Sequence, residues 1–232
     1  MQRYFCKDIK DKNVILDDTD YFHIIKVMRM KNNDSIEVVF DKNLYECKIV
    51  DIDNKNIKVI KKIPYTVNNR EITLIIPLLK EQKMDFVLQK ATELGVDKIV
   101  PFYSERSIVK NIDEDKKLAR WNKICKEASE QSKRVTVPIV TSIKNVDELN
   151  FDGVKLMCST REKKQNLKLF FKMQEVYDKI NIVVGPEGGL TELEEKNLNS
   201  IGYKSVTLGT NILRVETVPI FILSILNYEI ME

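Results

Sequence analysis

The sequence predicts an α/β protein with a mostly parallel sheet, preceded by a small β-barrel. From residue 71 onwards, apolar runs of strand length alternate with segments of helical periodicity, which is typical of parallel sheets covered by helices on both faces. From Arg3 to Lys62, short apolar or alternating runs follow one another between turn-forming Asp, Asn and Lys clusters. We therefore expect a barrel domain in residues 1–68 and an α/β domain in residues 69–232.

The barrel domain is expected to contain five strands and one helix. The strands correspond to the runs YFCK, NVIL, SIEVVF, LYECKIVDI and NIKVIKKI. Between the second and third runs, DDTDYFHIIKVMRM places Phe22, Ile25 and Met28 at helical spacing behind acidic residues that favour a helix N-terminus. The apolar side of this helix is thus expected to carry these three residues.

The α/β domain is expected to contain six strands and four helices. The strands correspond to EITLIIP, KIVPFYS, PIVTSI, VKLMCS, INIVV and KSVTLG. The first helix is KEQKMDFVLQKATELG, which ends at Gly95, and a longer one runs from Asp113 to about Lys133. The third begins at Thr191, where TELE forms a capping box, and the last runs to the C-terminus.

Composition excludes several classes of protein. The net charge of +3, which lies entirely in the first 70 residues, is too small to indicate a nucleic-acid partner by itself. Four scattered cysteines and a single histidine predict neither a metal site nor a disulfide framework. The N-terminus lacks the apolar core of a signal peptide, and the longest apolar run, Val218 to Leu226, is too short for a membrane span. We expect a cytoplasmic protein without membrane or metal partners.

The loop GPEGGL concentrates three of the seven glycines, Gly185, Gly188 and Gly189. It follows a buried strand and precedes a helix, and ligands of open α/β sheets bind at such strand ends. The loop lacks the GKS or GKT of a Walker loop and the GxGxxG pattern, and Glu187 would repel phosphate. An ordinary tight turn is the alternative, but the glycine density favours a loop that presents its backbone to a neutral or cationic ligand.

The next strand-to-helix loop, within LGTNILRVETV, carries Arg214 and Glu216. These residues could form a surface ion pair of little energetic weight, but their position between Gly209 and a nearly all-apolar helix favours a second wall of one ligand site. That helix starts near Thr217 and tolerates Pro219 in its first turn. Its lack of a polar face predicts burial in the core or against another subunit.

Five motifs in order resemble one family across essentially the whole chain. They are FHIIKVMRM, QKATELGVDKIVPFYSERSIVK, RWNKICKEASEQSKRVTVP, VVGPEGGLTELEE and LGTNILRVETV. Together they resemble the bacterial 16S ribosomal RNA uridine-N3 methyltransferases of the SPOUT class. The resemblance implies a PUA-like RNA-binding barrel, a trefoil-knotted domain that binds S-adenosylmethionine, and a homodimer acting on 16S rRNA of the small ribosomal subunit.

The resemblance also leaves alternatives open. The family usually has an arginine in place of Asn211, a small residue in place of Val218 followed here by Pro219, and glycines in place of Lys42 and Asn43. The first two departures make a catalytically inactive, ribosome-associated RNA-binding protein conceivable. A phosphate-binding metabolic enzyme is disfavoured by Glu187 and the missing lysine.

Site residues follow from the resemblance, position by position. Arg214 is the candidate for stabilising charge on the reacting base. Glu216 is the first candidate for the general base, ahead of Glu187, His23 or solvent, and capping of the following helix is its equally open alternative role. Contacts to the cofactor are expected from Leu78, Lys80, Gly185, Pro186, Glu187, Gly188, Gly189, Leu208, Gly209, Ile212, Leu213 and Thr217. Contacts to RNA are expected from Arg3, His23, Lys26, Arg29, Arg106, Ser107, Gln131, Ser132 and Arg134. A solvated surface role is the alternative for each of the last five taken singly, and a structural role is the alternative for His23.

Overall fold

The computed structural model describes residues 1–65, 70–110, 112–172 and 178–230. The chain divides into two compact units, one formed by Met1–Asn68 with Ser129–Val137, the other by Asn69–Ala128 with Pro138–Glu232. The expected boundary between residues 68 and 69 lies outside the described residues. Residues 129–137, expected in the second domain, are grouped with the first unit.

The first unit contains a six-stranded, mostly antiparallel sheet. Its strands are β1 (Arg3–Phe5), β2 (Asp8–Lys10), β3 (Asn13–Ile15), β4 (Ser35–Phe40), β5 (Asn43–Asp51) and β6 (Asn56–Ile63). They lie in the order β1-β4-β5-β6-β3-β2, and β1 pairs in parallel with β4. The short polar strand β2 was not expected. The turn between β4 and β5 places Asp41 and Lys42 at φ 47° and 58°, a left-handed conformation that favours glycine.

The helical segment of this unit differs from the expected single α-helix. Helix α1 (Asp18–Phe22) continues as a π-helical turn over His23–Val27. Tyr21 and Ile24 are the buried apolar residues, while Phe22 and Met28 are 62% and 39% exposed. The prediction was wrong for Phe22 and Met28, whereas Ile25 packs partly buried against the core. Phe22 lies in α1, where Tyr21 takes the buried position; Met28 follows the π-turn, which holds more residues than the 3.6 of an α-helical turn and shifts the positions after it.

Residues from 129 to 137 complete the first unit. Val135 is buried in a small cluster with Val39 and Leu44. Arg3 donates hydrogen bonds from Nη1 to the carbonyl oxygen of Lys133 and from Nε to Glu37 Oε2 at 2.9 Å. This unit is therefore assembled from two stretches of sequence.

The second unit is built on a six-stranded parallel sheet. Its strands are β7 (Glu71–Pro77), β8 (Lys98–Phe102), β9 (Ile139–Val140), β10 (Val154–Cys158), β11 (Lys179–Val184) and β12 (Lys204–Val206). Its helices are α2 (Glu81–Glu93), α3 (Glu114–Gln131), α4 (Leu167–Lys172), α5 (Glu192–Ser200) and α6 (Thr217–Ile230), with a 3-10 turn at Val146–Glu148. The strand order β12-β10-β11-β7-β8-β9 confirms the expected α/β class with a parallel sheet. Helix α4 was not expected, and the knot stays a prediction.

Helix α6 lies against α2 and leaves one side uncovered in the single chain. Its Ile222, Leu223 and Leu226 are completely buried. Asn227 Nδ2 donates to the carbonyl oxygen of Leu94 at 2.9 Å, which ties α6 to the end of α2. On the other side Phe221 and Tyr228 are 37% and 76% exposed.

Candidate functional site

A cavity of about 350 Å³ opens where the carboxyl ends of β10, β11 and β12 meet. Residues after all three strands line it, because the strands are parallel and their ends share one edge of the sheet. The lining comprises Lys83, Cys158, Ser159, Thr160, Lys163, Val184, Gly185, Pro186, Glu187, Gly189, Leu190, Glu195, residues 207–215 and Val218. Its size suits a small organic ligand.

The three glycines of the first loop have different physical roles. A Cβ added to Gly185 would lie 3.0 Å from the backbone nitrogen of Leu190, so a side chain there would push the loop apart. Gly189 has φ 70°, which favours glycine, and a Cβ there would lie 3.7 Å from Thr160 Oγ1. A Cβ on Gly188 would meet Arg106 Cδ at 3.4 Å. The cluster therefore closes and shapes the loop.

Two arginines from other loops hold the carbonyl groups of this glycine loop. Arg106 Nη1 donates to the oxygen of Gly188 at 2.7 Å. Arg161 Nη1 donates to the oxygen of Leu190 at 2.8 Å and to Glu195 Oε1 at 2.8 Å. These contacts orient the loop from both sides of its turn.

The helix that follows the loop begins with the expected capping box. Thr191 is the N-cap of α5, and its hydroxyl accepts from the backbone nitrogen of Glu194. Glu194 Oε2 accepts in return from Thr191 N at 2.7 Å, and its Oε1 accepts from Glu105 N at 2.9 Å. The box therefore ties the loop after β8 to the start of α5.

One lysine joins two carboxylates that come from the two walls of the cavity. Lys83 Nζ lies 2.8 Å from Glu187 Oε1 and 3.2 Å from Glu216 Oε2. Glu216 Oε2 is inaccessible and makes no aligned hydrogen bond, so its contact with Lys83 is an ion pair. The hydrogen bond with Glu187 raises the pKa of Lys83, with Glu216 adding to this shift. Burial acts to raise the pKa of Glu187, but Lys83 and the backbone lower it overall.

The other ionisable groups of the cavity differ in how far they are exposed to solvent. Glu195 is 13% exposed and pairs with Arg161. Lys163 and Arg214 are exposed at the rim, where Lys163 Nζ donates to the carbonyl oxygen of Thr160. Burial raises the pKa of the Cys158 thiol to about 12, so this thiol stays protonated at neutral pH and is a poor nucleophile.

The second wall lies between β12 and α6, and residues 209–212 of it are exposed. Gly209 has φ 124°, and a Cβ there would meet no atom within 4 Å. Ile212 is 82% exposed. The carbonyl oxygen of Arg214 accepts from the backbone nitrogens of Thr217 and Val218 at 2.8 and 3.1 Å, which starts α6 and leaves the Arg214 side chain at the rim.

Eight of the twelve residues predicted to contact a cofactor line this cavity. They are Gly185, Pro186, Glu187, Gly189, Leu208, Gly209, Ile212 and Leu213. The other four do not: Leu78 is buried in the core, Lys80 is the exposed N-cap of α2, Gly188 faces Arg106, and Thr217 begins α6. Sequence reasoning missed Lys83, Lys163 and Glu195, and also the segment 158–160, which the rule about strand ends could have found.

The structure separates the two residues predicted to be catalytic. Arg214 lines the cavity, whereas Glu216 lies behind it against Lys83. A general base must come within hydrogen-bond reach of the proton that it removes. Glu216 Oε2 is inaccessible and is held against Lys83, so only its other oxygen is left for that role, and Glu216 as the base stays a prediction.

In the first unit, the predicted RNA contacts fall into two groups. Lys26 and Arg29 are exposed, and His23 is half-buried with Nδ1 2.9 Å from Tyr4 Oη. Arg3 is only 7% exposed and is bound to Glu37 and Lys133, which argues against an RNA contact by Arg3.

The remaining predicted RNA contacts are also divided. Gln131 is exposed and Ser132 is half-buried, while Arg134 donates to Thr136 Oγ1 at 3.1 Å. Arg106 is exposed but bound to the Gly188 carbonyl. Ser107 is 3% exposed, which removes it from a surface that could contact phosphate.

Comparison with protein families accounts for both units. A model described as an RNA methyltransferase domain matches residues 66–227, and one described as an RNA methyltransferase PUA domain matches residues 16–62. The chain belongs to the RNA methyltransferase family. The cavity of this RNA methyltransferase thus lies in the segment matched by the methyltransferase model.

Relatives of this RNA methyltransferase are similar along their whole length. Proteins named ribosomal RNA small subunit methyltransferase E are 33% identical in Bacillus subtilis, covering 99% of this chain and 97% of the relative, and 34% identical in Mesomycoplasma hyopneumoniae, covering 97% and 98%. The crystal structure of such a protein from Neisseria gonorrhoeae, bound to S-adenosyl methionine, has a TM-score of 0.89 and 32% identity, covering 99% of this chain and 98% of that one.

Among the described residues, no group of three or more His, Cys, Asp or Glu side chains is arranged to hold a metal ion. Within the described ranges, no helix is both long and apolar enough to cross a membrane.

Proposed function

We propose that this RNA methyltransferase uses S-adenosylmethionine to methylate N3 of a uridine in 16S rRNA of the small ribosomal subunit. The observation that carries the proposal is the cavity formed by the loops after β10, β11 and β12, in a chain similar over its whole length to small subunit methyltransferases. The choice of uridine N3 rests on the resemblance of the five motifs.

The residues of the cavity fit S-adenosylmethionine. Val184, Leu208 and Leu213 offer apolar surface for a nucleoside, and the space beside Gly209, where a Cβ would meet no atom within 4 Å, leaves room for it. Two carboxylates against one ammonium give the inner wall a surplus negative charge, which suits a cationic ligand. When bound, this cofactor supplies an electrophilic methyl group on a sulfonium.

Arg214 is the residue that we assign to the chemistry on the base. Methylation of N3 requires loss of the N3 proton, and negative charge then spreads to the flanking carbonyl oxygens. A guanidinium at the rim stabilises that charge more in the transition state than in the ground state. The bound cofactor would supply a methyl group whose electron pair stays on sulfur as the bond to N3 forms, with the N3 proton passing to solvent. Aligning the two reactants would supply roughly 7 to 11 kcal/mol. We assign Glu216 to charge balance with Lys83.

RNA binding is assigned to surfaces of both units. The exposed cations Lys26 and Arg29 suit phosphate contacts by the PUA-like unit, and Lys163 suits a contact at the cavity rim. The base must leave its helix or already be unpaired, because N3 lies on the pairing edge. We further propose that the protein is a cytoplasmic homodimer.

The experiment that tests the function is mass mapping of 16S rRNA from a strain that lacks this protein. We expect one N3-methyluridine to disappear and to return when the gene is restored. An unchanged modification would contradict the assignment. If the protein binds S-adenosylmethionine in calorimetry but transfers no methyl group to small-subunit RNA, the alternative of an inactive RNA-binding protein gains support.

A further inference from the structure

We propose that the cluster of Lys83, Glu187 and Glu216 makes the cavity select the cationic methyl donor over the uncharged sulfide that remains after transfer. The inference rests on the proposed function, since it assumes that the cavity binds S-adenosylmethionine. It assigns to these three residues a role in distinguishing donor from product. One of them, Lys83, lies in none of the five family motifs.

The cluster holds one ammonium and two carboxylates. The side chains of Glu187 and Glu216 are 34% and 18% exposed, and both lie within 3.2 Å of Lys83 Nζ. The raised pKa of Lys83 and the lowered pKa of Glu187 keep both groups charged at neutral pH. One negative charge is therefore left over in a half-buried place.

The neighbouring charges of the described residues do not cancel this surplus locally. Glu195 is paired one-to-one with Arg161 at 2.8 Å. Lys80 also acts on Glu187, and Lys163 and Arg214 lie at the rim. All three carry positive charge, but their side chains are exposed, so water and salt screen them more than they screen the pair of Lys83 and Glu216. The inner wall is therefore negative and the rim is positive.

The donor and the product differ by a methyl group and one positive charge. The surplus charge of the cluster attracts the sulfonium of S-adenosylmethionine but has no net charge to act on at the sulfur of S-adenosylhomocysteine. As a general magnitude, one unit charge acting over about 10 Å at an effective dielectric constant of about 20 changes a relative affinity by about tenfold. Lys83 contributes by holding together two carboxylates from different loops, which would otherwise repel one another.

The test measures dissociation constants of S-adenosylmethionine and S-adenosylhomocysteine by calorimetry on the full-length protein. Glu216→Gln and Glu187→Gln each remove the surplus charge while keeping side-chain shape. Glu81→Gln is the matched control, because Glu81 begins the same helix as Lys83 but pairs with Lys117 and does not line the cavity. We expect the affinity ratio of donor to product to fall about tenfold in the first two variants and to stay constant in the control.

The outcomes separate this inference from the proposed function. If the wild-type protein binds neither ligand, the cofactor assignment itself fails. If it binds both, and the ratio is unchanged in Glu216→Gln and Glu187→Gln, the selective role is refuted. Equal weakening of both ligands also refutes it, because that would show that the cluster only positions the loops.

Discussion

At the scale of single residues, the glycine loop shows how neighbouring positions of one residue type differ in role. Gly185 permits the close approach of Leu190, whereas Gly188 lies beside the flexible side chain of Arg106. The number of glycines was visible in the sequence and correctly pointed to a loop on the cavity. The role of each glycine depends on its neighbours in space, which a local pattern does not give. Arg106, the partner of Gly188, lies 82 positions away along the chain.

We expect Gly185→Ala and Gly188→Ala to have opposite outcomes. The new methyl group in Gly185→Ala overlaps backbone, so it should destabilise the protein by about 1 to 3 kcal/mol and weaken binding of S-adenosylmethionine. In Gly188→Ala only the end of an arginine side chain has to move, so stability and affinity should stay near wild type. Thermal unfolding and calorimetry measure both quantities, and an equal effect of the two substitutions would contradict the roles assigned here.

Arg214 should act on the rate of methyl transfer. We expect Arg214→Ala to lower kcat by about 10²- to 10³-fold, the usual loss when one donor to a developing oxyanion is removed. Arg214→Lys should recover part of the rate because it restores a cation. Lys164→Ala is the control, since Lys164 is exposed near the rim without lining the cavity. A loss of cofactor affinity with unchanged kcat in Arg214→Ala would remove Arg214 from the chemistry.

At the scale of elements, the sequence predicted helix ends correctly where the residues of one short segment determine its backbone conformation. The capping box at Thr191 and Glu194 and the glycine stop at Gly95, with φ 87°, were both predictable because their hydrogen bonds and backbone angles are local. The π-turn at His23–Val27 was not, because it is a rare conformation whose buried residues follow the packing of the sheet.

The capping box gives an element-scale prediction. We expect Thr191→Ala to lower the free energy of unfolding by about 1 kcal/mol, because the backbone nitrogen of Glu194 loses its acceptor. Thr191→Ser keeps the hydroxyl and should stay close to wild type. Urea unfolding followed by circular dichroism measures the difference, and equal destabilisation by both substitutions would show that the methyl group rather than the cap matters.

At the scale of the whole molecule, the uncovered side of α6 suits the proposed homodimer. Light scattering should give a mass of about twice the 27.1 kDa chain. Phe221→Asp or Tyr228→Asp should shift the protein towards the monomer, because each buried aromatic at an interface contributes about 2 kcal/mol. Phe22→Asp is the control, since Phe22 is an exposed aromatic of the other unit. A dimer that tolerates both α6 substitutions would place the interface elsewhere.

The class of the whole molecule was predictable, but the grouping of residues 129–137 with the first unit was not. Alternating periodicity is enough to indicate a parallel α/β unit after a β-rich one. The membership of residues 129–137 in the first unit depends on tertiary contacts, such as Val135 with Val39 and Leu44, which no local pattern encodes. For the same reason, Lys83 could not be distinguished from the other lysines at the start of α2.

The discontinuity of the first unit limits how this protein can be cut or recombined. A chain ended after residue 68 would lack Val135, the carbonyl oxygen that accepts from Arg3, and the Glu130 carboxylate that accepts from Phe5 N. Suppose that residues 1–68 were replaced by those of a relative while residues 129–137 stayed. The residues in place of Arg3, Val39 and Leu44 would then have to fit the Lys133 carbonyl and Val135 of this chain. We therefore expect that residues 1–68 and 129–137 must be exchanged together, because changes in either stretch have to remain compatible with the other.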